Sequence, residues 1–227
     1  VQTAQKVTKD AAGETVLKVA HLSLKHPVLK HRNLLHDISF ELKKGEILGI
    51  FGLMGAGRTE LLETVFGLNP SKSSCQLEVA GKKCQFQTPK DAIQSGIAFV
   101  TEDRKTEGLV LGMDISSNIS LTTMPAWGLL NNGQERATAQ QYIQQLGIKT
   151  PSEQQFCQNL SGGNQQKVVL AKWLSTQPKV LLMDEPTRGI DINAKNEIYR
   201  LMKQLTDNQL SIVLVSSEIP EILALAD

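Results

Sequence analysis

The chain has 227 residues, 41% hydrophobic and 21% charged, with 24 Lys and Arg against 23 Asp and Glu and a formal net charge of +1. That length suits one well-cored domain or a compact pair of subdomains, and the balanced charge demands no basic face, so nucleic acid is not the expected partner. The three cysteines, Cys75, Cys84 and Cys157, are odd in number and lack C-x-x-C spacing, which argues against a disulfide framework or a zinc knuckle and for reduced thiols. No apolar run approaches the ~20 residues that cross a bilayer, and no charged-then-apolar leader opens the chain.

Residues 1–15, VQTAQKVTKDAAGET, are polar and aperiodic, the pattern of a linker or tail. VLKVAHLSL (16–24) and DISFEL (37–42) alternate apolar and polar residues, as half-buried strands do. EILGIF (46–51) is instead a short, nearly continuous apolar run, the mark of a strand covered on both faces. It leads through a glycine-rich turn into an expected helix, TELLETVFGL (59–68). CQLEVAGKKCQF (75–86) alternates again, around an expected Gly-Lys turn, and GIAFVT (96–101) returns to the continuous pattern. Residues from about 110 to 160 are rich in Gln, Asn, Ala and Leu. Within them GQERATAQQYIQQLG carries a helical stripe at Ala137, Tyr142, Ile143 and Leu146, so a mostly helical subdomain is expected there. KVLLMD (179–184) and SIVLVSS (211–217) add two more buried strands, and EIPEILALAD reads as a helix cut short, so the chain is expected to be a piece of a longer polypeptide. The sum is an α/β fold with a mostly parallel sheet core, an antiparallel β layer and a helical subdomain.

Three segments carry chemistry. FGLMGAGRTE (51–60) follows the phosphate-binding pattern G-x-x-x-x-G-K-[ST] with Gly52, Gly57 and Thr59 in register and Arg58 in place of lysine. Such a strand–turn–helix corner offers backbone N–H groups and a helix N-terminus to a phosphate chain, and Thr59 would offer its hydroxyl to Mg²⁺. Arg58 keeps the charge but not the compact ammonium geometry of lysine. LLMDEPTRGID (181–191) ends a buried strand in two acids: Asp184 is placed to hold Mg²⁺ and Glu185 to polarise an attacking water. In LSGGNQQK (160–167), Ser161 has the character of a helix cap and Gly162 and Gly163 bare the backbone, a second anion-binding helix start.

In this order and spacing the three segments resemble the Walker A, signature and Walker B segments of an ABC-transporter ATPase domain, and the resemblance covers essentially residues 16–227. GEILGIFGLMGAGRTEL, VTEDRKTEGLV, LSGGNQQKV and DEPTRGIDINAKNEIY are similar to the second ATPase domain of bacterial monosaccharide importers of the ribose, xylose and galactoside class. The resemblance implies a P-loop ABC-type fold that binds ATP and Mg²⁺ through Gly52, Leu53, Met54, Gly55, Ala56, Gly57, Arg58, Thr59 and Glu60. It also implies that Ser161, Gly162, Gly163 and Gln165 complete the ATP site of a partner ATPase domain. The metal ligands expected are Thr59, Asp184 and Glu102, which stands where the family commonly has glutamine. The catalytic residues expected are Glu185, Glu102 and Ser217, the last standing where the family commonly has histidine.

Arg58, Glu102 and Ser217 therefore weaken the phosphate clamp at three points, since a neutral hydroxyl cannot bear developing charge as an imidazole does. The expected role is an energy-coupling domain whose own site is degenerate and whose signature is intact. A catalytically silent regulatory module and a fully active ABC ATPase are the alternatives. Expected partners are a second ATPase domain fused upstream, integral membrane permease subunits and, indirectly, a periplasmic sugar-binding protein, at the cytoplasmic face of the bacterial inner membrane. The resemblance places the segment from Glu102 to Lys105 near the permease contact, where a charged hinge is expected; Asp103, Arg104 and Lys105 either touch the membrane subunit or are solvated. The adenine-stacking residue is left open: Phe40 and Phe51 are expected to pack in the core, with His26 and His31 as alternatives.

Overall fold

A computed structural model describes residues 13–29, 31–53, 55–124 and 132–227. The linker expected over 1–15 falls mostly outside the described residues, and Thr15 already opens a strand. The chain divides into two compact units. The first comprises Val1–Phe99, Pro178–Glu185 and Lys203–Asp227, and the second Val100–Gln177 and Pro186–Met202.

The first unit holds two four-stranded sheets, except for one strand's last residue, Val100, which is counted with the second unit. One is antiparallel, in the order β2-β1-β4-β5, from β1 (Thr15–Lys25), β2 (Asn33–Lys43), β4 (Ser73–Val79) and β5 (Lys82–Cys84). Alternation along β1 explains its placement: Leu17, Val19, Leu22 and Leu24 are buried while Lys18, His21 and Lys25 face water. The β4–β5 turn sits at Ala80–Gly81, both at positive φ (48° and 74°), one residue before the expected Gly-Lys pair. Two successive positive φ angles match the strand twist of a tight hairpin, and this decides the position.

The other sheet runs β3-β8-β7-β6, from β3 (Ile47–Phe51), β8 (Ser211–Ser216), β7 (Val180–Asp184) and β6 (Ile97–Val100). β3 pairs with β8, and β8 with β7, in parallel. Every residue of β6, β7 and β8 is buried, as their continuous apolar runs require, and each fully buried Leu or Val contributes about 1.5–3 kcal/mol. Parallel strands point their C-terminal ends the same way, so Phe51, Asp184 and Ser216 lie at one edge of this sheet. Phe51 is 45% exposed there, against the expected core position, because it ends its strand at the mouth of the glycine loop. Helix α1 (Arg58–Val65) is shorter than the 59–68 expected: Phe66 caps it and Gly67 turns away at φ 84°. α2 (Pro89–Gln94) starts in a capping box between Thr88 and Asp91. α7 (Ile219–Leu225) lies close to β3, where a Cβ on Gly49 would stand 2.8 Å from Ile222 Cγ2.

The second unit is helical, built on α3 (Ile115–Ser120), α4 (Asn132–Leu146) and α5 (Gly162–Leu174). It extends beyond the 110–160 expected. Its α4 stripe is Ala139, Tyr142, Ile143 and Leu146, whereas Ala137 is exposed: the i, i+3, i+4, i+7 spacing starts at 139, and 137 falls on the opposite side. Asn118 is fully buried and ties the unit together. Its side chain accepts from Val110 N (2.8 Å) and donates to the carbonyls of Val110 and Asp114 (both 3.0 Å). α6 (Ile192–Asp207) contributes residues to both units.

Candidate functional site

In the first unit the glycine loop joins β3 to α1 without a side-chain cap. Gly57 stands at the helix entry with φ 81°, and a Cβ there would come within 2.7 Å of Leu35 Cδ2, so both conformation and space demand glycine. The loop closes through Ala56 N donating to Leu53 O (3.1 Å), and nothing lies within 4 Å of a Cβ on Gly55, so the loop keeps an open side. Leu53 is 76% exposed, and Glu60 sits in the first helical turn. Met54 lies outside the described residues.

Thr59 and Asp184 meet at the end of β7: the hydroxyl donates to Asp184 Oδ2 at 2.6 Å. Burial pushes the Asp184 carboxyl above its ordinary value, and the Thr59 hydroxyl opposes this. A hydroxyl and a carboxylate held together are the hard oxygen donors that Mg²⁺ prefers, so these residues fit a magnesium ion that also takes phosphate oxygens. Among the described residues no three His, Cys, Asp or Glu side chains gather into a metal cage.

Arg58 does not reach outward. Its Cδ passes over Gly52, 3.0 Å from where a Cβ would be, and Nη1 lies 3.0 Å from Glu185 Oε1, with only 11% and 8% of the two side chains exposed. The contact is an ion pair off the N–H axis, since Nη1 makes no well-aligned hydrogen bond. The same Oε1 accepts from Ser217 N at 2.7 Å. Glu185 thus receives a guanidinium and a backbone N–H, and Ser217 meets it through its amide. Glu185 itself has φ 44°, a strained conformation held in part by its N–H donating to Val215 O (2.9 Å).

In the second unit Ser161 caps α5, its Oγ accepting from Asn164 N (3.4 Å) and Asn164 Nδ2 (2.9 Å). Gly163 is glycine for a packing reason: a Cβ would stand 2.5 Å from Ala194 Cβ on α6. Gln165 turns inward, 5% exposed, with Nε2 donating to Cys157 O (3.0 Å). Its amide nitrogen is tied to the fold, while Ser161, Gly162 and Gly163 form the turn itself. Glu102 is paired with Arg188, a residue that sequence reasoning passed over; a lone arginine directly after the acidic strand end was the available signal. Arg104, in the segment expected to act as a charged hinge, donates to the carbonyls of Arg188 and Gly189. His26 Nδ1 accepts from Val28 N and Leu29 N (both 3.1 Å), which commits its ring to a local turn, whereas His31 is exposed and Phe40 half-buried.

Comparisons with known proteins bear on the family and the fold. Residues 35–188 match the ABC transporter family. The chain is 49% identical over 217 residues to the ribose import ATP-binding protein RbsA of Rhodopirellula baltica, covering 94% of this chain and 42% of that protein. It is 46% identical over 222 residues to the xylose import ATP-binding protein XylG of Thermoanaerobacter pseudethanolicus, covering 96% and 44%. The chain therefore spans less than half the length of the curated relatives it matches. Among solved structures, a nucleotide-free ATP-binding cassette from an ABC transporter gives a TM-score of 0.80 at 17% identity, covering 94% of this chain and 85% of that one. A dimeric post-hydrolysis ATP-binding cassette bound to ADP and Pi gives 0.76 at 20% identity, covering 90% and 89%. At such identities the structural likeness speaks for the fold, and the sequence matches speak for the family: the chain belongs to the ABC transporter family, as an ATP-binding domain homologous to ribose and xylose import ATP-binding proteins.

Proposed function

We propose that this chain is the second ATP-binding domain of an ABC-type monosaccharide importer, with a degenerate phosphate site of its own and a signature turn that completes the ATP site of a partner domain. The observation that carries this reading is the buried Arg58–Glu185 pair. The cation of the phosphate loop is turned onto the acid that would polarise water, so each neutralises the other. A general base must have a lone pair free toward the attacking water; Glu185 Oε1 is already shared between Arg58 and Ser217 N, which leaves Oε2 alone for that role on a carboxylate whose charge Arg58 already offsets.

Thr59 and Asp184 would hold Mg²⁺, whose chemistry is to neutralise phosphate charge. Gly52, Leu53, Met54, Gly55, Ala56 and Gly57 would wrap the phosphates with backbone N–H groups, beside Glu60 of the first helical turn. Ser161, Gly162 and Gly163 would face the γ-phosphate of the partner, with Gln165 holding the turn from behind. The relatives are more than twice as long as this chain, which leaves room for a further domain, and their names as import ATP-binding proteins support a membrane transporter as the assembly. An ATPase domain fused upstream, permease subunits, a periplasmic sugar-binding protein and a place at the cytoplasmic face of the inner membrane belong to the same proposal. No helix among the described residues is long and apolar enough to cross a membrane. The intact Thr59–Asp184 pair favours a second reading, slow hydrolysis at this site once MgATP draws Arg58 away from Glu185.

Calorimetric titration of the chain with MgATP, beside Arg58→Lys and with phosphate release followed, tests the first part. Weak binding without turnover, tightened by lysine, is expected; tight binding and turnover by the wild-type chain overturn it. In the longer parent protein, Ser161→Glu is expected to abolish ATP turnover, and undiminished turnover in that variant refutes the signature reading.

A further inference from the structure

Two segments of the second unit hold each other twice. Glu102 is ion-paired with the Arg188 side chain, and Arg104 donates through Nη1 to the Arg188 carbonyl (2.8 Å) and through Nη2 to the Gly189 carbonyl (3.1 Å). One arginine reaches in each direction. The Glu102–Arg188 pair is the outer half, with side chains 32% and 55% exposed, where such a pair contributes little by itself. The Arg104 fork is the inner half, and two carbonyls on successive residues match its planar geometry.

A third segment meets the same guanidinium. A Cβ on Gly162, the first residue of α5, would stand 2.8 Å from Arg104 Nη2, and next 3.4 Å from Ile190 Cγ2 and 3.5 Å from Gly189 O. Residue 162 is therefore packed under Arg104, which makes glycine at this position a matter of room for a side chain as well as of backbone exposure.

The turn that carries Arg104 is itself anchored. Residues Arg104–Gly108 form a single π-helical turn, an unusual conformation that recurs at functional sites. Asp103 caps it, accepting from Lys105 N (2.9 Å) and Thr106 N (3.3 Å). At its far end the Gly108 carbonyl accepts from Lys172 of α5 at 2.5 Å, and a Cβ on Gly108 would meet Val169 Cγ2 at 3.1 Å. The π-turn thus touches α5 near both of its ends, at Gly162 through Arg104 and at Lys172 through Gly108.

We propose that Arg104 is a positioning residue for the signature turn: its guanidinium locks Gly162 and the 188–190 loop into one piece, and the Glu102–Arg188 pair closes the outside of the same clasp. Lysine has donors enough for two carbonyls, but its compact ammonium on a flexible stem lacks the planar fork that reaches both while covering the glycine. In function the inference rests on the reading that Ser161, Gly162 and Gly163 serve a nucleotide site.

Amide hydrogen exchange at residues 161–165 decides the structural half without that reading. Arg104→Ala and Arg104→Lys are both expected to speed exchange there about tenfold while β3 and β8 stay unchanged, which separates local loosening from global destabilisation. Gly162→Ala, which pushes the guanidinium off, is expected to loosen the same amides in the wild-type background and to add nothing to Arg104→Ala. Unchanged exchange in both Arg104 variants, or additive effects with Gly162→Ala, overturn the proposal. In the longer parent protein, Arg104→Lys is expected to lower kcat for ATP at least tenfold with KM within twofold. Undiminished kcat in Arg104→Lys, where Ser161→Glu is silent, overturns the positioning role alone. Undiminished kcat in Ser161→Glu instead refutes the signature reading and leaves the exchange result to decide whether Arg104 orders the turn.

Discussion

Arg58→Met removes the cation from a buried pair and leaves Glu185, 8% exposed, without its counter-charge. Breaking one side of a buried ion pair costs about 3–5 kcal/mol, and the Ser217 N–H that Glu185 keeps places the expected loss at the lower end, about 3 kcal/mol. With a urea slope of about 3 kcal/mol/M, this moves the unfolding midpoint of the first unit down by about 1 M. Arg58→Met/Glu185→Gln is expected to recover most of the loss, because a neutral amide in the same place needs no counter-charge. Urea titrations of the two variants beside the wild type, followed by a probe in the β3–β8 sheet, give the answer. A midpoint for Arg58→Met within 0.2 M of wild type, roughly 0.6 kcal/mol at that slope, refutes the idea that Arg58 neutralises Glu185.

Lys172 is buried without a carboxylate partner among its hydrogen bonds, and burial lowers its pKa to about 8 from 10.5. Between those values the unfolded chain holds the proton and the folded one has lost it, so stability rises with pH across that window, by an amount on the order of 3 kcal/mol. Lys172→Met is expected to abolish this rise, which thermal melts of both proteins from pH 8 to 10.5 measure; an identical pH slope in the variant refutes it. Gly163→Ala is expected to cost about 1–3 kcal/mol, because its Cβ would lie 2.5 Å from Ala194 Cβ, and a companion Ala194→Gly is expected to restore the denaturation midpoint. Asn118→Leu leaves the Val110 N–H without its acceptor, while the Val110 and Asp114 carbonyls keep the Met113 and residue 118 backbone N–H groups as donors, an expected loss of about 1–3 kcal/mol seen as a lower urea midpoint of the second unit.

Much of the fold was legible because its signals are local. Continuous apolar runs announced β3, β6, β7 and β8, alternation announced β1, β2 and β4, and Ser161 before two glycines announced the start of α5. The loop from Gly52 to Thr59 and the acids at the end of β7 were legible for the same reason: a glycine-rich strand–turn–helix corner and a buried strand ending in acids are short-range patterns. Element ends and faces were less so. Ala139 rather than Ala137 begins the α4 stripe, and Phe51 is exposed, because which residues are covered depends on what packs against them.

The sequence by itself determined which residue types stand at the phosphate loop, the acidic strand end and the signature turn, since each motif is written within about ten consecutive residues. Only the tertiary structure decided what those residues hold. It turned Arg58 onto Glu185, gave Glu102 to Arg188, drew the Gln165 amide inward to Cys157 and laid Arg104 over Gly162. Long charged and amide side chains can reach many partners, and the choice falls to whichever acceptor the packing of distant segments brings within about 3 Å of the donor.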